Sequence, residues 1–323
     1  MGRPDQINFG SYALFVDSSL MGGVQSLSLS SDFNPTELIS YGLLSQKVYY
    51  EKPNVSVSFD RLLSNNNEPF IITGSGNVPA NSGYLIQYYG INGFEGIKKY
   101  KLEVSISSDS SDRVLASGTS IVLNDFVLQG LSYNFDTEGS FTESVELLGH
   151  TFNEGTGSIP TSGNREGTVK RRQDFSLAET VVPREVSGML SGNHVLKSVN
   201  VSVNFNWNEI AHMGYMESYK NKILSLPIDI TCSFTVLDRG FNKDLSNYYA
   251  LTGKIYDDVY YITSGNPTDP IKIVAGGFVY DLGSGNYFQS VARNSPNAGD
   301  AAGYATYTYT YKNSNNYFKL LRK

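Results

Sequence analysis

Three histidines, His150, His194 and His212, are the natural starting point for acid–base or metal chemistry, because imidazole titrates near neutral pH and is the commonest metal ligand. None of them has the partner four residues away, with a glutamate between, that lets one helical turn offer two ligands to zinc. The acidic groups Asp257–Asp258 and Asp109–Asp112 lack the alternating oxygen ligands and terminal glutamate of a calcium loop. Gly74–Ser75–Gly76 and Gly283–Ser284–Gly285 are not followed by the lysine and helix that cradle a phosphate, so they read as turns. No G-x-S-x-G nucleophile elbow occurs. Asn54-Val55-Ser56 and Asn200-Val201-Ser202 match the glycan-acceptor pattern but fall inside strands, where chance explains them. The expectation is a chain that is not an enzyme and that takes no cofactor and no metal. A carboxylate pair for glycoside cleavage, which meets only in the fold, stays open as an alternative.

The elements that would position any site are dominated by a motif written twice. Val24–Gly42 reads VQSLSLSSDFNPTELISYG, and Leu196–Gly214 reads LKSVNVSVNFNWNEIAHMG, 172 residues later (205 − 33 for the two Phe). Each copy opens as an alternating strand: Leu27 and Leu29 in one, Val199, Val201 and Val203 in the other, closed by Phe33 or Phe205. A short helix is expected next. Asn34 and Asn206 suit its N-cap, Glu37 and Glu209 stand three places on, Pro35 fits its first position, and Gly42 and Gly214 fit its stop. Lys52–Leu63 and Leu226–Leu237 then alternate again at an offset of 175 (234 − 59), which keeps the inward and outward faces in step.

Bulk properties agree with a duplicated β protein. The 323 residues suffice for two domains, and 23 Tyr and 31 Gly with only 17% charged residues suit strands and turns. The net charge of −6 argues against a basic groove that holds nucleic acid, though not against a wall that nucleic acid slides past. No apolar run reaches membrane length, and MGRPDQINFG lacks a basic-then-apolar leader, so folding in the cytoplasm is expected. Cys232, the one cysteine, sits on an apolar strand face and reads as a small buried hydrophobe.

Further strands are expected at Ser11–Phe15, Tyr84–Tyr89, Lys99–Ile106, Ser120–Gly130 and Ser140–Leu148, and in the second half at Ser246–Tyr249, Tyr256–Thr263, Ile271–Leu282, Tyr287–Arg293 and Gly303–Lys312. In the last, Tyr307, Tyr309 and Tyr311 share one face, and such a strand must be paired inside the sheet or across a subunit boundary. Thr151–Pro183 shows little alternation and carries Lys170, Arg171 and Arg172, so the expected division is residues 1–150, a linker over 151–183, and residues 184–323.

The order of alternating strand, Asn-x-x-Glu, Gly, aromatic loop (Val48-Tyr49-Tyr50, or Tyr215 and Tyr219) and second strand resembles the tail tube proteins of long-tailed bacteriophages. Phe126–His150 is similar to the strand, turn and strand of that family's later half, with Asn286–Tyr311 as its counterpart in the second copy. The resemblance implies an all-β chain of two tandem barrel or sandwich domains, each with one short flanking helix, whose strands join those of neighbouring chains around a lumen. Three chains would then supply six domains to a ring, and stacked rings would form the conduit for DNA ejection. The implied partners are copies of itself, other tail proteins such as sheath, baseplate or tail terminator, and DNA passing without specific binding; no membrane is involved. The implied location is the virion tail, assembled in the host cytoplasm. A baseplate hub built from tube domains, and a carbohydrate-binding adhesin or receptor-binding protein, are the competing readings.

Overall fold

The structure, a computed structural model, describes residues 12–33, 35–38, 47–50, 53–65, 67–73, 84–85, 99–106, 118–157, 167–191, 194–209, 222–237, 269–294, 305–314 and 317–323. The strands are β1 (Tyr12–Val16), β2 (Ser19–Leu20), β3 (Val24–Asp32), β4 (Pro35–Leu38), β5 (Lys47–Tyr50), β6 (Asn54–Leu62), β7 (Tyr84–Leu85), β8 (Tyr100–Ile106), β9 (Gly118–Asp136), β10 (Thr142–Gly149), β11 (Thr151–Gly157), β12 (Val195–Glu209), β13 (Lys222–Leu237), β14 (Asp269–Ala275), β15 (Phe278–Asn294), β16 (Thr306–Asn313) and β17 (Lys319–Arg322). The fold is all-β. Fifteen strands form one sheet, and β4 with β5 forms a separate two-stranded ribbon.

The duplication is visible in the hydrogen-bond ladder. The first unit runs β3-β6-β10-β9 and the second β12-β13-β16-β15, antiparallel throughout. Leu29 lies opposite Val57 in the first unit, and their copies Val201 and Cys232 lie opposite each other in the second. A bulge between Val24 and Ser26 recurs between Leu196 and Ser198. Another passes over Gln129 between Gly130 and Leu128, and its copy passes over Gln289 between Phe288 and Ser290. Bulges recur in this way only when the register of the whole strand pair is kept. The hydroxyls Ser30–Ser56 and Ser202–Thr231, at matching positions, are both 2.6 Å apart.

Alternation then sorts the side chains. Val55, Val57, Phe59, Val199, Val201, Val203, Ile230, Cys232, Phe234, Tyr307, Tyr309 and Tyr311 all point into one core. A second layer covers that core face. The long strands β9 and β15 leave the eight-stranded part and continue as its framework, β9 pairing β8 and β11, and β15 pairing β14 and β17. Aromatic contacts tie the layers together. Phe70 lies between Phe59 of β6 and Tyr100 of β8, and Tyr280 of β15 packs edge-on against Tyr133 of β9 at 4.7 Å. The stretch between the units straps across both: Val169 bridges Ser64, Arg171 bridges Ser140, Phe175 bridges Ala275 and Val181 bridges Lys272. The helix Arg184–Ser191 follows.

The helix expected after each motif strand is not seen among the described residues, where its first positions are strand. Pro35–Leu38, including Glu37, is strand β4 on β5, and Asn206–Glu209 prolongs β12, with Asn206 opposite Ser225 and Glu209 opposite Lys222. A capping signal is local, whereas pairing with β13 gives Asn206–Glu209 of the aromatic-rich FNWNE run a ladder partner that the local signal does not encode. Helix occurs elsewhere, at Arg184–Ser191 and as the single turn Phe70–Thr73. Asn34, Gly42 and Gly214 lie outside the described residues, as do Ser246–Tyr249 and Tyr256–Thr263. The expected strand Ile271–Leu282 is a hairpin, turning at Gly276 and Gly277 with φ of 64° and 88°. Thr151–Gly157, at the head of the expected linker, is strand β11.

A buried charged pair sets the first unit apart from the second. Arg61 and Glu143 face each other across β6 and β10, where the second unit has Val236 and Tyr307. Arg61 donates to Glu143 and to the Glu68 carbonyl, and the Phe70 N–H donates to the other Glu143 oxygen at 2.8 Å. Burial, and then the charge of Glu143, hold the Tyr133 and Tyr280 phenols well above their usual pKa.

Arg61→Val, which leaves Glu143 charged and buried, should cost about 3–5 kcal/mol in urea unfolding. Adding Glu143→Gln should recover much of that loss. Because the two phenols titrate higher folded than unfolded, their stabilisation is complete below the unfolded value of 10.0 and is lost as pH rises above it. A Tyr133→Phe, Tyr280→Phe variant should therefore lose less stability between neutral pH and pH 11 than the parent, measured by thermal melts across that range.

Candidate functional site

The candidate site is the open face of the eight-stranded sheet together with its two ends. No second layer of described residues covers this face. Strand parity places Ser26, Ser28 and Ser30 of β3 beside Asp60, Ser58 and Ser56 of β6. The same parity carries Ser144 and Ser132, then Ser202 and Thr231, and then Thr308 and Thr310 across the sheet. Short hydroxyls bond from strand to strand: Ser26 and Ser144 both donate to Asp60, and Thr235 meets Thr308 at 3.2 Å. Charge on this face is mainly negative. Asp32, Asp60, Asp136, Glu146 and Asp229 lie on it, whereas Lys312 is engaged by Asp229 at 2.6 Å.

Within the chain the two units meet at β9 and β12. Val201 lies opposite Tyr133, Val203 opposite Leu131 and Ser202 opposite Ser132, and the Trp207 indole N–H donates to the Leu128 carbonyl at 2.9 Å. A cavity of about 300 Å3 lies beside this joint, where Phe175 of the strap and Leu190 of the helix meet Phe135 and Leu196. At the outer ends the partner is missing among the described residues. β3 is paired only with β6, and Ser290–Asn294 of β15 is paired only with β16.

The residues singled out by sequence fall as follows. Phe205 is buried, while its copy Phe33 is exposed. Tyr307, Tyr309 and Tyr311 are buried, and β16 is paired on both sides inside the sheet. The Tyr311 hydroxyl donates to Glu185 of the helix at 2.8 Å. His150 is buried with Nδ1 3.4 Å from the Pro53 carbonyl, His194 is half-buried, and His212 lies outside the described residues. Among the described residues no three His, Cys, Asp or Glu gather where they could hold a metal. Burial pushes the Cys232 thiol up, away from reactivity. The open ends were missed by sequence reasoning, because Leu29 and Val201 are apolar residues at the same position of the repeat and only their burial tells them apart.

No protein-family model matches this chain, and no curated protein is similar to it. Among solved structures it is similar to the anti-feeding prophage cap, a tube terminating cap, at 11% identity and a TM-score of 0.35, over 49% of this chain and 95% of that one. That likeness is too slight to bear on fold or function.

Phe205→Ala should destabilise the isolated chain by about 3–5 kcal/mol, as for other buried Phe truncations. Phe33→Ala should change it by less than about 0.5 kcal/mol, because its ring faces solvent in the single chain. Denaturant midpoints of the two variants check the contrast.

Proposed function

We propose that this chain is a structural subunit of the phage-tail-tube kind, without enzymatic activity, whose copies close into a ring and whose rings stack into a conduit for DNA. The supporting observation is that two copies of one four-stranded unit stand side by side in a single sheet, joined by a strand pair that could be repeated between chains. Three chains then supply six units, and the two halves of the sequence act as two tube domains. A cyclic contact of this kind is heterologous, and it closes only when the rotation per step divides the circle.

In such a ring the covered side of the sheet belongs outside, because a second layer needs the larger circumference. The bare Ser/Thr/Asn face then lines the lumen. Its short hydroxyls satisfy one another, and its carboxylates repel phosphate, so a duplex meets no row of Lys or Arg that would release counterions and act as a brake. Neighbouring tail proteins would dock on the loops at the ring's rims, in the virion.

Negative-stain microscopy of the purified protein should give rings of six similar masses in end-on view and cylinders on concentration. Single rings that never stack would point to a hub instead, and compact single particles at all concentrations would end the proposal. In assembled tubes, Ser58→Lys with Thr231→Lys should raise retention of duplex DNA at low salt by about tenfold or more, with a steeper salt dependence than the parent.

A further inference from the structure

Three apolar residues at the open ends of the sheet are exposed where their copies are core. Leu29 is 39% exposed and its copy Val201 0%; Phe33 is 48% exposed and its copy Phe205 3%. Val291 is 41% exposed, while Leu131, its copy in β9, is 2% exposed. Val201 and Leu131 are neighbours across the internal joint, on strands paired directly with each other. Leu29 and Val291 thus lack the cover that the joint gives their copies in the middle of the sheet, and they sit on the two strands whose outer backbone groups have no described partner, with Phe33 directly after the first of them. An unprotected edge of this kind recruits another strand, and here one end of the chain is the counterpart of the surface that the other end needs.

We infer that two copies of this chain join by antiparallel pairing of β3 in one with Ser290–Asn294 of β15 in the next, in the register of the internal joint. The internal pairs Ser202–Ser132, Val201–Tyr133 and Asn204–Gly130 translate to Ser30 opposite Ala292, Leu29 opposite Arg293, and Asp32 opposite Ser290. In that register Leu29 and Val291 come to share the core face, and on the bare face Ser30 meets the small Ala292, beyond which the hydroxyl row resumes at Thr308. The contact is heterologous, each chain offering β3 on one side and β15 on the other, so association continues until a ring closes. The inference rests on the ring reading and adds the strands and the register that make the ring.

Cysteine pairs test it. Ser30→Cys with Ala292→Cys places both thiols on the bare face, directly opposite each other across the joint, within disulfide reach. Mild oxidation should give a non-reducing ladder that ends at three chains. The pair Ser31→Cys with Ala292→Cys differs by one residue, which puts the thiols on opposite faces, and should give at least about tenfold less product. Buried Cys232 should not contribute. Ser28→Cys with Asn294→Cys is the second in-register pair, in case the first fails to fold. Leu29→Asp should leave the single chain's melting unchanged and reduce ring yield by about tenfold or more. Rings seen by microscopy with no cross-link from either in-register pair, or with more from the off-register pair, would overturn the register while leaving the ring reading intact. Absence of rings from the parent protein would remove the ring reading itself.

Discussion

A β-sheet that stops leaves a row of backbone N–H and C=O groups with nothing but water to bond to, and every other feature of this chain is arranged around where that row is allowed to remain. In the middle of the molecule it is eliminated, because β9 of one unit meets β12 of the next and the ladder runs through eight strands. The duplication matters physically for this reason. One unit alone would have two unmatched ends, and two units in tandem still have two, now separated by twice the width. Repetition without closure does not solve the edge problem; it only passes it outward.

The two faces of the sheet divide the remaining work. One side carries the Val, Ile, Phe and Tyr rows that pack under a second layer built from the same long strands, so β9 and β15 each contribute to both layers and fix their spacing. Across that interface Tyr280 reaches Tyr133, and Phe70 joins Phe59 to Tyr100. The Arg61–Glu143 pair brings charge into this apolar side, and its hydrogen bonds hold the chain of Glu68–Phe70 to the sheet. Its absence from the second unit indicates that the fold does not need it and that the first unit has a local use for it. The other side carries mainly short polar side chains, several of which bond to each other across strands.

Much of this was legible in the sequence. The paired offsets of 172 and 175 between the motif strands are the offsets that the ladder uses, since Leu29–Val57 and Val201–Cys232 are equivalent pairs. The match of Phe126–His150 with Asn286–Tyr311 likewise corresponds to strands that share a bulge at Gln129 and Gln289. The helix after the motif was misread because Asn-x-x-Glu describes only what a chain does without partners, whereas β5 and β13 supply partners that the local signal cannot register. The open ends escaped notice for a related reason. Leu29 and Val201 are the same kind of residue in the same pattern, and only the fold shows that one has a neighbouring strand and the other does not.

The likeness of the internal joint to the ends has a consequence for synthesis. While a ribosome is still making the second half, β9 of the finished first unit is an unoccupied acceptor for any strand of the β12 type, including β3 of another nascent chain. What favours the correct partner is the connection through Thr151–Ser191, which keeps β12 close and sets a local concentration of about millimolar, well above that of free chains early in expression. The strap contacts at Ser64 and Ser140, both within the finished first unit, shorten that leash further. Fidelity in this molecule is thus a matter of tether length as much as of complementarity, since a longer connection would lower the local concentration that favours pairing within the chain.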